Sequence, residues 1–166
     1  MKPNLLLLAD ELEQELLVFQ QVETAIQEPQ IRLLAASPAL FDLYAIGHIL
    51  DDLYNGMERI CHRVVKKIDQ VELDGSNWHR ELLDRVGTAT GSRPAVIHPT
   101  TLDKMHRYRG FRHRIRHMYG FELDWEKMQP LFDGAQPMLI AFTQDLNQFV
   151  TFLRMIAADN DDDDLL

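Results

Sequence analysis

The sequence predicts an all-α fold, an up-and-down bundle of four to five helices. Three observations carry that expectation. Apolar residues recur at spacings of three and four over long stretches, as in Leu5, Leu8, Leu12, Leu16, Phe19, Val22 and Ile26. No stretch alternates apolar and polar residues as a half-buried strand does. Most glycines and prolines fall between the periodic stretches, where helices start and stop.

The first helix covers residues 4–27 and closes before Pro29. The second opens with Ser37 as N-cap and Pro38 at the first helical position. It continues through Phe41, Tyr44, Leu50, Tyr54, Met57, Cys61 and Val64 to Ile68, and its wide apolar face makes it the central element. A turn at Asp74-Gly75 leads into a short helix stopped at Gly87. Residues 87–99 contain two Gly and two Pro without periodicity and read as a loop. Thr100 caps the next helix, with Asp103 completing an imperfect capping box, and Gly120 ends it. The last helix starts within residues 123–132, is strained at Pro130 and Pro137, and reaches Ala158. Residues 1–158 thus form one helical domain, and residues 159–166, "DNDDDDLL", an acidic disordered tail.

Composition narrows the functional classes. A single cysteine, Cys61, leaves no internal disulfide framework and fits a reducing compartment. The four consecutive leucines at residues 5–8 are too few for a signal segment or a membrane span. The expected address is the cytoplasm. The formal charge is −9, which on a uniform surface would repel nucleic acid.

The charge is not uniform. Residues 104–119 hold one Lys, five Arg and three His and no acid. Without those six charges, eleven Lys and Arg face twenty-six Asp and Glu, formally −15. A local basic strip still attracts phosphate, because fields decay over about 8–10 Å at physiological salt. On a helix turning ~100° per residue, Tyr108, Phe111, Ile115 and Met118 face the core. His106, Arg109, Arg112, His113, Arg116 and His117 share the opposite arc, with Arg107 and Arg114 on its flanks. Like charges at these spacings weaken a helix by a few tenths of a kcal/mol per pair. Something outside the helix must compensate.

Three compensating partners fit that arc. One is an acidic surface on this chain or a second copy. Another is a transition metal on His106, His113 and His117, which five neighbouring arginines disfavour. The third is a polyanion such as RNA, suited to arginine forks on phosphate and a histidine poised for proton transfer. Elsewhere, Glu58 suits a buried pair with an arginine, and Trp78 and His79 suit packing, capping or the lining of a cleft. His48 and His62 have no partner spacing.

The segment "RHRIRHMY", residues 112–119, resembles the signature of HEPN-domain ribonucleases: an Arg, a polar residue, a short spacer and a His. Tyr119, two residues after His117, extends this to the R-x4-H-x-Y pattern of the HepT-like toxin branch. The stretches "LYNGMERICHRVVKKID", "NWHRELLDRV" and "RGFRHRIRHMYGFELD" are similar to that branch too, so the resemblance spans residues 40–125.

The resemblance implies a HEPN-like bundle that forms a homodimer and cleaves RNA without a metal or other cofactor. Arg112, His117 and His113 are then the catalytic group, with Arg112 as phosphate clamp, and Arg109 and Arg116 bind RNA phosphates. Tyr119 becomes the residue adenylylated by a cognate nucleotidyltransferase antitoxin of the MntA kind, since added phosphate charge beside a cleft repels substrate. From residue type alone, a tyrosine near a helix end is half-buried packing. Two other readings remain open: a catalytically silent HEPN module pairing with a nucleotidyltransferase, and a helical interaction protein whose basic strip docks an acidic partner.

Overall fold

The computed structural model describes residues 4–33 and 37–163, with side chains described to residue 159. Within them every regular element is helical and none is a strand, as an all-α HEPN-like bundle requires. Five expected helices appear as seven α-helical segments among the described residues, because two of them are broken.

The first break separates α1 (Leu5–Phe19) from α2 (Val22–Leu33). Asn4 caps α1 by accepting from the Leu7 N–H at 3.0 Å. Neither glycine nor proline marks the interruption at Gln20 and Gln21, which the sequence reading ran through. Conversely, Pro29 does not end α2, which carries it inside the helix. The second break falls at Gly134, between α6 (Trp125–Asp133) and α7 (Ala135–Asp163). Pro130 lies within α6, and Pro137 sits in the first turn of α7, where the missing N–H has no helical partner to lose. Helix α7 continues past Ala158 to Asp163, while residues 164–166 of the expected acidic tail lie outside the described residues.

Helix α3 (Leu40–Val64) is the centre, packing against each of the other six α-helical segments. It starts two residues later than expected, with Ala39 rather than Ser37 as N-cap, and Asp42 Oδ2 accepts the Ala39 N–H at 2.8 Å. Its end widens into a π-helical turn at Val65–Asp69. Gly75, at φ 82°, makes the turn before α4 (Trp78–Val86). Arg93 then pins the loop beyond α4. Its guanidinium, 0% exposed, grips both oxygens of Asp69 at 2.8 and 2.6 Å and donates to the carbonyls of Arg85, Thr88 and Pro94.

Helix α5 (Pro99–Ile115) carries the basic strip. Its N-cap is His98, whose ring nitrogen accepts the Thr100 N–H, so Pro99 rather than Thr100 opens the helix. It also ends earlier than Gly120. The last turn tightens, with the His117 N–H bonded to the Arg114 carbonyl at 3.1 Å, and a 3-10 turn follows at Gly120–Glu122. Met118 therefore leaves the core side and is exposed, whereas Tyr108 and Phe111 are buried as the periodicity requires. Among the described residues no helix is long and apolar enough to cross a membrane.

Candidate functional site

Burying Met105, Tyr108 and Phe111 against the bundle turns the opposite arc of α5 outward. That arc and the start of α4 enclose an open cavity of about 650 Å³. Arg109, Arg112, His113, Arg116 and His117 all line it, so five of the six site residues named from sequence lie together. His79 and Arg80 supply the facing wall, and among the described residues no carboxylate contributes to the lining. Arg112 and His117, about 140° apart on a regular helix, reach the same cavity because the helix stops between them.

Arg112 is the best-held side chain of the group. Its Nε donates to Asn55 Oδ1 at 2.6 Å and lies 3.5 Å from Asp51 Oδ1, both on α3. Asn55 is steadied in turn by donating from Nδ2 to Asp51 Oδ2 at 2.9 Å. Below, the guanidinium carbon stands 5.7 Å from the centroid of the Tyr54 ring, a cation–π arrangement. Burial, then the carboxylate of Glu58, raises the Tyr54 hydroxyl well above the ordinary tyrosine range and keeps it neutral. With Nε and the ring face committed, Arg112 still lines the cavity. NH1 comes within 3.4 Å of His79 Nε2.

Glu58 does not pair with an arginine, as the sequence suggested. It lies 2.5 Å from His79 Nδ1, with its side chain almost wholly buried. His79, which the sequence offered for packing, capping or lining a cleft, does line the cavity and is tied there through two partners. Asn55 and Asp51 were not among the sequence candidates. A signal did exist: Asp51, Asn55 and Glu58 recur at i, i+4 and i+7 on a helix whose neighbouring positions are apolar.

The remaining strip residues differ in their surroundings. His113 and His117 meet edge to face, with ring centroids 5.2 Å apart. Arg109 has its Nε buried without a hydrogen-bond partner among the described residues. Arg107, Arg114 and Arg116 have no carboxylate within ion-pair distance among those residues. Among the described residues, the acidic groups therefore answer Arg112 and leave most of the strip without an ion pair. His106 stands apart, 3.9 Å from Asp84, and burial followed by the nearby Arg109 charge holds its ring below the ordinary histidine range. Among the described residues no group of His, Cys, Asp and Glu is arranged to hold a metal.

Tyr119 does not line the cavity. It is 72% exposed, which departs from the half-buried packing expected by residue type. Its ring stacks on Phe121 at 5.2 Å, and its N–H donates to Glu122 Oε2 at 2.6 Å. The Tyr44 ring lies against Gly120, where a Cβ would come 1.8 Å from Cε1. The turn after α5 therefore presents Tyr119 outward, two residues beyond the cavity-lining His117.

No curated protein and no solved structure shows a significant match to the chain. The family model described as HepT-like protein matches residues 45–153, which takes in most of α3, the cavity and most of α7. The chain belongs to the family of HepT-like proteins.

Proposed function

We propose that the chain is a metal-independent endoribonuclease toxin held in check by a nucleotidyltransferase antitoxin of the MntA kind. The carrying observation is the cavity itself, lined by arginines and histidines and, among the described residues, without a carboxylate. Such a lining attracts the phosphates of a nucleic acid and supplies both phosphate clamps and proton-transfer groups. Membership of the HepT-like family supports the same reading.

In this mechanism Arg112 clamps the scissile phosphate with the nitrogens left free by Asn55, and stabilises the charge that develops there. His117 is the proton-transfer group, with His113 orienting it or sharing its role. Arg109 and Arg116 hold neighbouring phosphates. The chain acts in the cytoplasm as a homodimer whose motif helices approach one another. Tyr119, exposed two residues beyond His117, is the adenylylation target, and the phosphate added there repels the substrate backbone.

Expression of the chain alone should arrest growth with degradation of cellular RNA, and Arg112→Ala should abolish both effects. Co-expression with an active nucleotidyltransferase partner should relieve arrest and add AMP to Tyr119, read by intact mass and peptide mapping. Unimpaired growth with intact RNA on expression alone removes the toxin reading. Relief without an adduct removes the modification.

A further inference from the structure

The wall of the cavity opposite α5 carries an arrangement that the mechanism above leaves unused. His79 opens α4 next to Trp78, on which its ring stacks at a centroid distance of 3.8 Å. Its Nδ1 is 2.5 Å from Oε2 of Glu58, which is 6% exposed. Its other nitrogen, Nε2, lies 3.4 Å from Arg112 NH1, and both residues line the cavity. A carboxylate at Nδ1 keeps the proton on that nitrogen and leaves the lone pair on Nε2. The same carboxylate offsets the positive charge that arises when Nε2 takes a proton. A histidine serving only to pack would not need its free nitrogen in a phosphate-binding cleft. One backed by a buried acid, with the other nitrogen beside the clamp, has the layout of a general base.

We infer that His79 is the base of the cleavage reaction, Glu58 its positioning residue and His117 the acid. This inference rests on the RNA-cleaving reading of the cavity. The incoming phosphate draws the outer nitrogens of Arg112 to itself, releasing His79 Nε2. Nε2 removes the proton of the ribose 2′-hydroxyl, and the 2′-oxygen forms a bond to phosphorus. The bond from phosphorus to the 5′-oxygen breaks, and that oxygen takes a proton from the His117 imidazolium. The products are a 2′,3′-cyclic phosphate and a free 5′-hydroxyl. His79 finishes protonated and His117 neutral, and exchange with water restores both.

The test uses the full chain and two oligoribonucleotides spanning a site the parent cuts. One is natural, and the other has sulfur in place of the bridging 5′-oxygen, a leaving group that needs no proton. A 2′-deoxy analogue, which binds but cannot react, reports whether the cleft is intact. His79→Gln should slow cleavage of the natural substrate by roughly 100-fold or more, as loss of a general base does. Glu58→Gln should slow it by roughly tenfold or more, through the wrong tautomer. Both variants should bind the 2′-deoxy analogue as the parent does. The sulfur substrate should restore cleavage by His117→Ala and leave His79→Gln slow. The pH–rate profile of His79→Gln should lose its rise on the acidic side.

A parent that cuts alongside an equally active His79→Gln overturns the inference and leaves the RNA-cleaving reading standing. Rescue of His79→Gln by the sulfur substrate does the same, by making it the acid. Binding and rate lost together in His79→Gln and Glu58→Gln reduce the pair to packing and overturn it as well. A parent that cuts no RNA removes the reading and the inference with it.

Discussion

Arg112 of α5 and Asn55 of α3, fifty-seven residues apart in sequence, are joined by a 2.6 Å hydrogen bond from Nε to Oδ1. That bond commits the inner donor of the guanidinium and holds a residue that lines the cavity. A long side chain with about 2 kcal/mol of rotamer entropy is thereby fixed before any phosphate arrives.

Removal of the anchor should therefore impair function more than folding. Asn55→Ala is expected to lower RNA cleavage roughly tenfold, the scale of one charge-assisted hydrogen bond, with little change in thermal midpoint. Rates and melts on the same preparation check this. Full activity in Asn55→Ala would mean that Asp51 alone positions Arg112.

Gly56 makes room for α1 against α3. A Cβ there would lie 2.3 Å from Phe19 Cδ2, and the Phe19 ring is 2% exposed and set edge-on to Phe142 at 5.7 Å. The ring cannot swing away. Gly56→Ala should cost about 1–3 kcal/mol through overpacking, and Phe19→Leu in the same chain should recover part of it. Chemical denaturation of the two variants measures both effects.

The Arg93–Asp69 pair is a folding determinant remote from the cavity. With the side chains 0% and 6% exposed, deleting one partner strands a buried charge. Arg93→Met should destabilise the chain by about 3–5 kcal/mol. The double variant with Asp69→Asn should be the more stable of the two, as denaturant midpoints will show.

His106 supplies a pH dependence with a definite sign. Its ring titrates lower in the folded chain than the ordinary histidine value, chiefly from burial and then from Arg109, while Asp84 and Asp103 act in the opposite sense. As pH falls below about 6.5, the unfolded chain takes up this proton first, so stability drops on acidification. His106→Asn should lose less stability than the parent between about pH 7.5 and 5. Thermal midpoints across that range test it, and parallel curves would assign the acid sensitivity elsewhere.

Helical periodicity made much of this arrangement legible. The spacing of Tyr108 and Phe111 fixed which side of α5 faces inward, and so which basic residues share a cavity. Its limits have physical causes. Gln20 and Gln21 break a helix without a breaker residue, while Pro29 and Pro130 sit inside helices that tertiary packing sustains. The tight turn at Ile115 comes before the glycine that sequence treats as the stop, which carries Met118 off the core and brings His117 to the cleft. The anchors of Arg112 and the partner of His79 are long-range contacts, and local spacing says nothing about what a side chain meets across the bundle.

Metal-free cleavage of RNA is what the proposed function requires of the arginine–histidine cavity. The most direct measurement incubates the purified chain, made without any partner so that Tyr119 is unmodified, with total RNA and tRNA in EDTA, beside Arg112→Ala and His117→Ala. The account predicts cleavage by the parent and a loss of roughly 100-fold or more in each variant, the scale of a lost clamp or proton-transfer group. Equal inertness of all three would contradict it and leave the strip as a docking surface for an acidic partner.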